Sequence, residues 1–161
     1  MQFRPPDPDF AARVRASFGR QAAMRLIGAE LAVVEPGHVV IELPYRDDLT
    51  QQHGFVHGGI TAMIADSAAG YAAFTLFPAD SSILTVEFKI NLVAPADGER
   101  LVAAARVKKT GRTLTICEFE VAARKHGRST VCALGLQTLI CLAGKSDTPE
   151  TPPAGRDAQG G

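Results

Sequence analysis

The sequence has no tryptophan, only two tyrosines and three cysteines, and no excess of either charge. Seventeen basic residues balance seventeen acidic ones, so no chain-wide field attracts nucleic acid or an anionic membrane. The cysteines are odd in number, lack CxxC spacing and lie in apolar runs, which favours buried thiols in a reducing compartment. Small molecules and further copies of the chain are therefore the expected partners.

The two ends of the chain are expected to flank the domain. Residues 1–26 hold a proline-rich segment with no apolar stretch behind Arg4, so no signal peptide is expected there. A short helix follows there, capped by Asp9, ended by Gly19 and packing on the domain. Residues 143–161 hold three prolines and four glycines without a large apolar side chain, which predicts a disordered tail. We expect a single domain at 27–142 in a cytoplasmic protein.

The stretch from Gly59 to Pro78 is apolar enough to resemble a membrane span. Asp66 lies in its middle, where a carboxylate costs about 3 kcal/mol on insertion scales, and no lysine or arginine flanks it. The pattern therefore predicts a buried core helix. The side chains on one of its sides are small enough for close approach by another backbone.

Alternation of apolar residues predicts strands before and after this helix. Leu84 to Leu92 alternates strictly, which indicates a half-buried strand. Short connections between the last strands are typical of an antiparallel meander. The expected order is helix, two strands, long helix and four strands, an α+β domain whose strands are Ile27–Val34, His38–Leu43, Ile83–Leu92, Arg100–Lys109, Thr113–Lys125 and Arg128–Leu142.

The most informative feature is the isolation of one carboxylate. From Leu49 to Ala79, Asp66 is the only formally charged residue. Burying a carboxylate costs several kcal/mol unless it is hydrogen-bonded, and such groups mark functional sites more often than surface acids do. Asp66 therefore belongs to a functional site, lies at the one solvent-exposed edge of the helix, or bonds a neighbouring strand in a structural role.

The loop from Gln51 to Gly59 leads directly into this helix. Gly58 and Gly59 leave first-turn N–H groups uncovered, and these point along the helix dipole at whatever lies beyond. Such an end can stabilise an oxyanion, although flexible loop glycines have the same pattern.

The string His57-Gly58-Gly59 followed by Asp66, with His53-Gly54 upstream and the segment 84–91 downstream, resembles the PaaI-type hotdog-fold acyl-CoA thioesterases. The resemblance covers about Gly28 to Leu142. It implies a hotdog fold, in which a curved antiparallel sheet of five to six strands wraps a long central helix. It also implies hydrolysis of acyl- or aryl-acyl-CoA thioesters by homodimers or dimers of dimers, with CoA as part of the substrate and no separate cofactor.

The resemblance also assigns roles to individual residues. It implies that the Gly58 N–H binds the thioester carbonyl, that His57 helps to hold it, and that Asp66 activates water or attacks. Thr85 matches a Ser/Thr position that supports the acid or the water, across a gap of one residue. Gln51 falls where many members have asparagine, a residue that positions the carbonyl or the water.

The spacing between Gly58 and Asp66 is informative without the family. Eight residues along one helix span about 12 Å, too far for both groups to act within about 3 Å of one carbonyl. If both are catalytic, they come from different chains, and a twofold dimer places two equivalent sites across its interface.

Coenzyme A contacts are expected at Gly59 and at basic residues near two turns. The basic residues are either solvated hairpin ends or a rim on the CoA phosphates: Lys108, Lys109 and Arg112, then Arg124, Lys125 and Arg128.

Two further patterns indicate no chemistry of their own. His53 and His57 have HxxxH spacing, but their glycine neighbours place them in a loop without a third ligand, so no metal site is expected. Ser67 lacks the GxSxG context of a hydrolase nucleophile and is read as a helix-packing serine.

Two other functions stay open at this point. One is an acyl-CoA-binding or sensing module that keeps the fold without the chemistry, which the intact Asp66 disfavours. The other is an enoyl-CoA hydratase-like enzyme, which would leave the thioester intact.

Overall fold

Three helices and six strands make up most of residues 3–148, the part of the chain that the computed structural model describes. The helices are α1 (Phe10–Arg20), α2 (Ala22–Ile27) and α3 (Gly58–Phe74). The strands are β1 (Glu30–Glu35), β2 (His38–Pro44), β3 (Ser81–Leu92), β4 (Arg100–Thr110), β5 (Leu114–Lys125) and β6 (Arg128–Ala143).

Helix α3 lies at the centre because it is apolar nearly all round. Ten of its seventeen residues are buried, among them Ile64, Tyr71 and Phe74. It packs against every strand from β2 to β6, while its alanines permit close approach to the sheet. The expected hotdog arrangement, a long helix on a six-stranded antiparallel sheet, is confirmed.

The sheet is not a simple meander. Its spatial order is β1-β2-β4-β5-β6-β3, so β4, β5 and β6 follow one another as hairpins, whereas β3 pairs with β6 at the far edge. The chain therefore crosses from the β3 edge to the sheet centre through residues 93–99. No local sequence pattern predicts this long-range pairing, because short connections indicate pairing only between strands that follow one another in the chain.

The chain before β1 differs from the expected strand at Ile27–Val34. Residues 22–27 form α2, which buries Met24 and Ile27 and ends at Gly28 in the left-handed conformation with φ of 76°. Glycine adopts this conformation without steric cost, so it ends the helix and starts the turn. Gly19 does not end α1, which continues to Arg20, and Asp9 makes no side-chain cap bond.

Strand β3 was expected to be half-buried, and this is wrong for the single chain. Leu84, Val86, Phe88 and Leu92 are 59%, 56%, 42% and 58% exposed. A bulge between Thr85 and Glu87 also breaks the alternation. The strand itself was expected, but the bulge puts Leu84 and Phe88 on opposite faces instead of one. In addition, β3 is an edge strand, and no other part of residues 3–148 covers its exposed apolar side chains.

The tail is described only as far as residue 148. Asp147 forms an ion pair with Arg20 of α1 at 2.6 Å. Part of the segment 144–148 is therefore attached to the domain. The predicted disorder from residue 149 onward lies outside the described residues. Within residues 3–148 no helix is both long and apolar enough to cross a membrane.

Candidate active site

The carboxylate of Asp66 lies midway along α3 on the side that faces β3 and β6. Its Oδ1 accepts a hydrogen bond from the Thr85 hydroxyl at 2.8 Å and another from Gln137 Nε2 at 2.7 Å. Gln137 Nε2 also lies 3.0 Å from Thr85 Oγ1. The half-buried carboxylate is thus held by two strands that the chain reaches only after the helix ends.

The bulge in β3 has a direct consequence for this cluster. Thr85 is opposite Leu139 and Phe88 is opposite Gln137, so four residues of β3, 85 to 88, lie opposite three of β6, 137 to 139. Bulges re-aim side chains next to functional sites. Here Thr85, Gln137 and Leu139 all lie on the face of the sheet toward α3, which brings the threonine hydroxyl to Asp66.

Gln137 was not among the residues expected from sequence. It lies within an apolar strand at a position whose neighbours on the same face include Leu139, which is fully buried. Its only sequence signal is an amide at an inward-facing position. That signal is weak, since it indicates a functional residue only when the residue of α3 that faces the amide is known.

The start of α3 uses one of its two glycine N–H groups internally. His57 is the N-cap, and its Nδ1 accepts the Gly59 N–H at 2.8 Å. The expectation that both N–H groups are uncovered is therefore wrong for Gly59. The Gly58 N–H has no acceptor among residues 3–148. An accepting Nδ1 also leaves the proton of neutral His57 on Nε2, where it can be donated.

A cavity of about 310 Å³ adjoins Gly58. Gln51 lines it and is fixed locally, since its side-chain Oε1 accepts from the His53 N–H. Leu92 lies so close that a Cβ added to Gly58 would be 2.8 Å from its Cδ1. The amide nitrogen of Gln51 has no acceptor within the described part of the chain, so it can donate into the cavity.

A second cavity, of about 340 Å³, contains Asp66 and Thr85. Its walls are partly polar, with Ser17 and Tyr71 hydroxyls 3.1 Å apart. The remaining lining includes hydrophobic side chains and one helical glycine: Ile83, Leu84, Leu139 and Gly70. Burial raises the pKa of the Tyr71 hydroxyl, opposed by its bond to Ser17.

The two basic clusters lie at opposite ends of the sheet, because consecutive hairpins alternate ends. Arg128 and Lys125 line a cavity of about 620 Å³ that also includes Phe55, a residue shared with the cavity beside Gly58. Lys125 is paired with Asp97 at 2.8 Å. Arg124 belongs to the same hairpin and is exposed.

The other basic cluster lies at the β4–β5 hairpin. Lys108 is paired with Glu118 at 3.1 Å, and Lys109 and Arg112 are exposed. Within one chain the structure does not bring this cluster to Gly58.

The residues with no expected chemistry of their own are Ser67 and His53. Ser67 is buried and donates to Gln21 Oε1 at 3.3 Å, which ties α3 to the start of α2. His53 is exposed in its loop. Within residues 3–148 no group of three or more histidine, cysteine or acidic side chains is arranged to hold a metal ion.

Comparison with known proteins agrees with this architecture. The family model described as the thioesterase superfamily matches residues 53–130. The crystal structure of a thioesterase family protein from Silicibacter pomeroyi is 45% identical, covers 84% of this chain and 99% of that one, and superposes with a TM-score of 0.83.

Two further proteins are similar over much of the chain. Human acyl-coenzyme A thioesterase 13 is 28% identical over 99 residues, 61% of this chain and 70% of that protein. The Escherichia coli PaaI protein from the phenylacetic acid degradation operon is 18% identical, covers 85% of this chain and 96% of that one, and shares the fold with a TM-score of 0.77. This chain therefore belongs to the thioesterase superfamily, as a thioester hydrolase with the hotdog fold of the PaaI type.

Proposed function

We propose that this protein hydrolyses acyl-CoA thioesters to free acid and CoA at sites built from two copies of the chain. The observation that carries the proposal is Asp66, the one charge in a long apolar segment, held by Thr85 and Gln137 at the wall of a cavity. Relatives whose names specify acyl-CoA substrates, such as human acyl-coenzyme A thioesterase 13, support the class of substrate.

The chemistry follows from the groups at the two ends of the site. The Gly58 N–H, with the helix dipole behind it, binds the thioester carbonyl oxygen and stabilises the oxyanion that forms. His57 Nε2 donates to the same region. Asp66 either removes a proton from the attacking water or attacks the carbonyl to form an anhydride, and CoA leaves as a thiolate.

Strand β3 supports a dimer as the working unit. It is the outermost strand of the sheet, and its apolar side chains Leu84, Val86 and Leu92 are more than half exposed. A long edge strand of this kind pairs with another chain unless it is covered. A second copy pairing along β3 covers it and continues the sheet.

The same pairing completes the site. Gly58 lies against Leu92 near the end of β3, whereas Asp66 is bound to Thr85 near its start. In antiparallel pairing about a twofold axis near Phe88, residue 85 of one strand comes beside residue 92 of the other. Gly58 of one protomer thereby meets Asp66 of its partner.

The cavities give the substrate a path. From Gly58 the cavity beside Gln51 leads by way of Phe55 to Arg128 and Lys125, which suits the pantetheine arm and the CoA phosphates. The twofold axis also brings the partner's β4–β5 hairpin to this end of the sheet. Lys108, Lys109, Arg112 and Arg124 therefore stay candidates for the phosphate rim.

The acyl group is assigned to the cavity that contains Asp66. Its volume of about 340 Å³ lies near the lower limit of small-molecule sites. We therefore expect benzoyl, phenylacetyl and short aliphatic groups to fit better than a palmitoyl chain.

Thiol release tests the proposal directly. Wild-type protein, Asp66→Asn and the control Asp80→Asn, a change in the turn after α3, are assayed with phenylacetyl-, benzoyl-, hexanoyl-, decanoyl- and palmitoyl-CoA. Loss of the general base lowers kcat on the order of 10²–10⁴-fold in Asp66→Asn only.

Other outcomes point to the alternative functions. Tight acyl-CoA binding without thiol release in wild type indicates a binding module. Hydration of an enoyl-CoA without thiol release indicates a hydratase. Incorporation of oxygen-18 from water into the Asp66 carboxylate in a single turnover identifies the anhydride route, in which water attacks the Asp66 carbonyl carbon of the anhydride.

A further inference from the structure

Gln137 directs its side-chain hydrogen bonds at the candidate base. It is 1% exposed, in the middle of β6. Its Nε2 donates to Asp66 Oδ1 at 2.7 Å and to Thr85 Oγ1 at 3.0 Å, with a longer contact of 3.4 Å to the Asp66 carbonyl oxygen. No other side-chain partner of Gln137 occurs among residues 3–148.

The buried side-chain amide of Gln137 lowers the stability of the core. Its Oε1 is buried without a donor in the described part of the chain, and an unsatisfied buried polar atom is destabilising. Leu139 and Cys141, on the same face of β6, show that apolar residues suit this surface. The fold does not need an amide here, so its benefit is to be sought at Asp66.

The network fixes one carboxylate oxygen and leaves the other available. Thr85 donates to Oδ1 and accepts from Gln137, so the three side chains close a ring of hydrogen bonds. Asp66 Oδ2 has no donor within residues 3–148. Two donors on Oδ1 restrict rotation of the carboxylate.

We propose that Gln137 is a positioning residue, which holds Oδ1 of Asp66 so that Oδ2 meets the reacting water or carbonyl. This inference rests on the proposed function for its catalytic consequence, but its effect on the ionisation of Asp66 is independent of turnover. The orphaned Oε1 fits this role, because flipping the amide would place an oxygen against the carboxylate.

Other ionisable groups also face this cavity. Arg20 of α1 and Asp147 of the tail line it as an ion pair 2.6 Å apart, and Tyr71 lines it from α3 itself. Gln137 is uncharged at every pH. A change in the pH profile on replacing Gln137 therefore reports its hydrogen bond rather than a lost charge.

The test compares Gln137→Met, which has similar volume but no donor, with Gln137→Glu and the control Thr138→Val. Thr138 is the next residue of β6 and bonds Glu87 instead. In Gln137→Met we expect kcat to fall about tenfold at neutral pH with KM unchanged. We also expect the acid limb of the kcat profile to move to higher pH, because a lost donor disfavours the carboxylate. In Gln137→Glu the limb rises further, because two carboxylates repel.

Stability separates positioning from structure. Replacing a half-satisfied amide with methionine keeps or raises Tm if Gln137 serves the site. A lower Tm with an unmoved acid limb assigns Gln137 a structural role and overturns the proposal.

Direct titration decides the matter even if no substrate is turned over. The carboxyl carbon-13 resonance of Asp66, assigned by its absence in Asp66→Asn, is followed against pH in wild type and Gln137→Met. A midpoint at higher pH in the variant supports the proposal, and equal midpoints contradict it. Absence of thiol release in wild type with a displaced midpoint would count against the proposed function alone.

Discussion

The guanidinium of Arg13 lies over the ring of Phe74, 4.1 Å from its centroid, and donates to the Phe74 carbonyl oxygen at 3.2 Å. Its other bonds run to the Phe77 carbonyl oxygen at 2.7 Å and to the buried carboxylate of Asp7 at 2.8 Å. A cation is favourable at a helix C-terminus. One side chain of α1 thus binds the C-terminal end of α3, the end opposite to Gly58.

Arg13→Met is expected to destabilise the fold by about 3 kcal/mol, because it leaves Asp7 buried without its partner. Urea unfolding measures the change. The double variant Asp7→Asn/Arg13→Met is expected to lose less than the sum of the single losses. Strict additivity would show that the pair is not coupled.

Gly58→Pro is expected to lower kcat on the order of 10²–10³-fold, since it removes the proposed oxyanion donor. Proline is tolerated at the first helical position, and His57, with φ of −59° and ψ of 138°, has the conformation that precedes a proline. Gly58→Ala keeps the N–H and is the matched control, requiring only a movement of the Leu92 side chain. Equal losses in both variants would argue for a steric effect.

Mixed dimers test whether the site is shared. Gly58→Pro and Asp66→Asn chains, each nearly inactive, are refolded together. One site of each heterodimer then combines an intact Gly58 with an intact Asp66, so part of the activity returns. If purified heterodimers stay inactive, both groups act within one chain or one of them is not catalytic.

Val86→Arg is expected to prevent dimer formation, because pairing along β3 takes the added charge of each protomer out of water without a partner, at a cost of several kcal/mol. Light scattering measures the mass, and thiol release falls with it. The control Leu136→Arg changes a side chain of the neighbouring strand β6 that is 55% exposed, against 56% for Val86. A Val86→Arg dimer of full activity would exclude pairing along β3.

Gly135→Ala is expected to cost roughly 3 kcal/mol, the upper range for overpacking. Its Cβ would lie 2.1 Å from the Lys89 carbonyl oxygen and 2.4 Å from Phe119 Cζ. In contrast, Gly70→Ala places its Cβ at 3.9 Å from Leu139 and should stabilise α3 by about 0.5–1 kcal/mol. Chemical denaturation of both variants checks the opposite signs.

Burial raises the pKa of the Cys117 thiol from 9.0 to about 12. A thiol with a raised folded-state pKa keeps its contribution to stability below pH 9.0 and loses it as the pH rises toward about 12. The Tm of wild type should therefore fall more steeply over this range than that of Cys117→Ala. Parallel curves would show that Cys117 does not titrate on unfolding.

The sequence by itself determined α3, its glycine start and its isolated carboxylate. These features are local: hydrophobicity on all sides predicts burial, and a charge within such a run is visible without knowing its partners. The spacing of Gly58 and Asp66 also implied that the two groups come from different chains if both are catalytic, because the rise per residue of a helix is fixed.

Only the tertiary structure decided what surrounds Asp66. Gln137 reaches it because β3 and β6 pair with a bulge at Val86, and strand register over such distances has no signature in either segment. The sequence did not predict the exposure of β3 either. An alternating apolar strand reads the same whether its own core or a second copy covers it, and its position at the sheet edge is a property of the assembled fold.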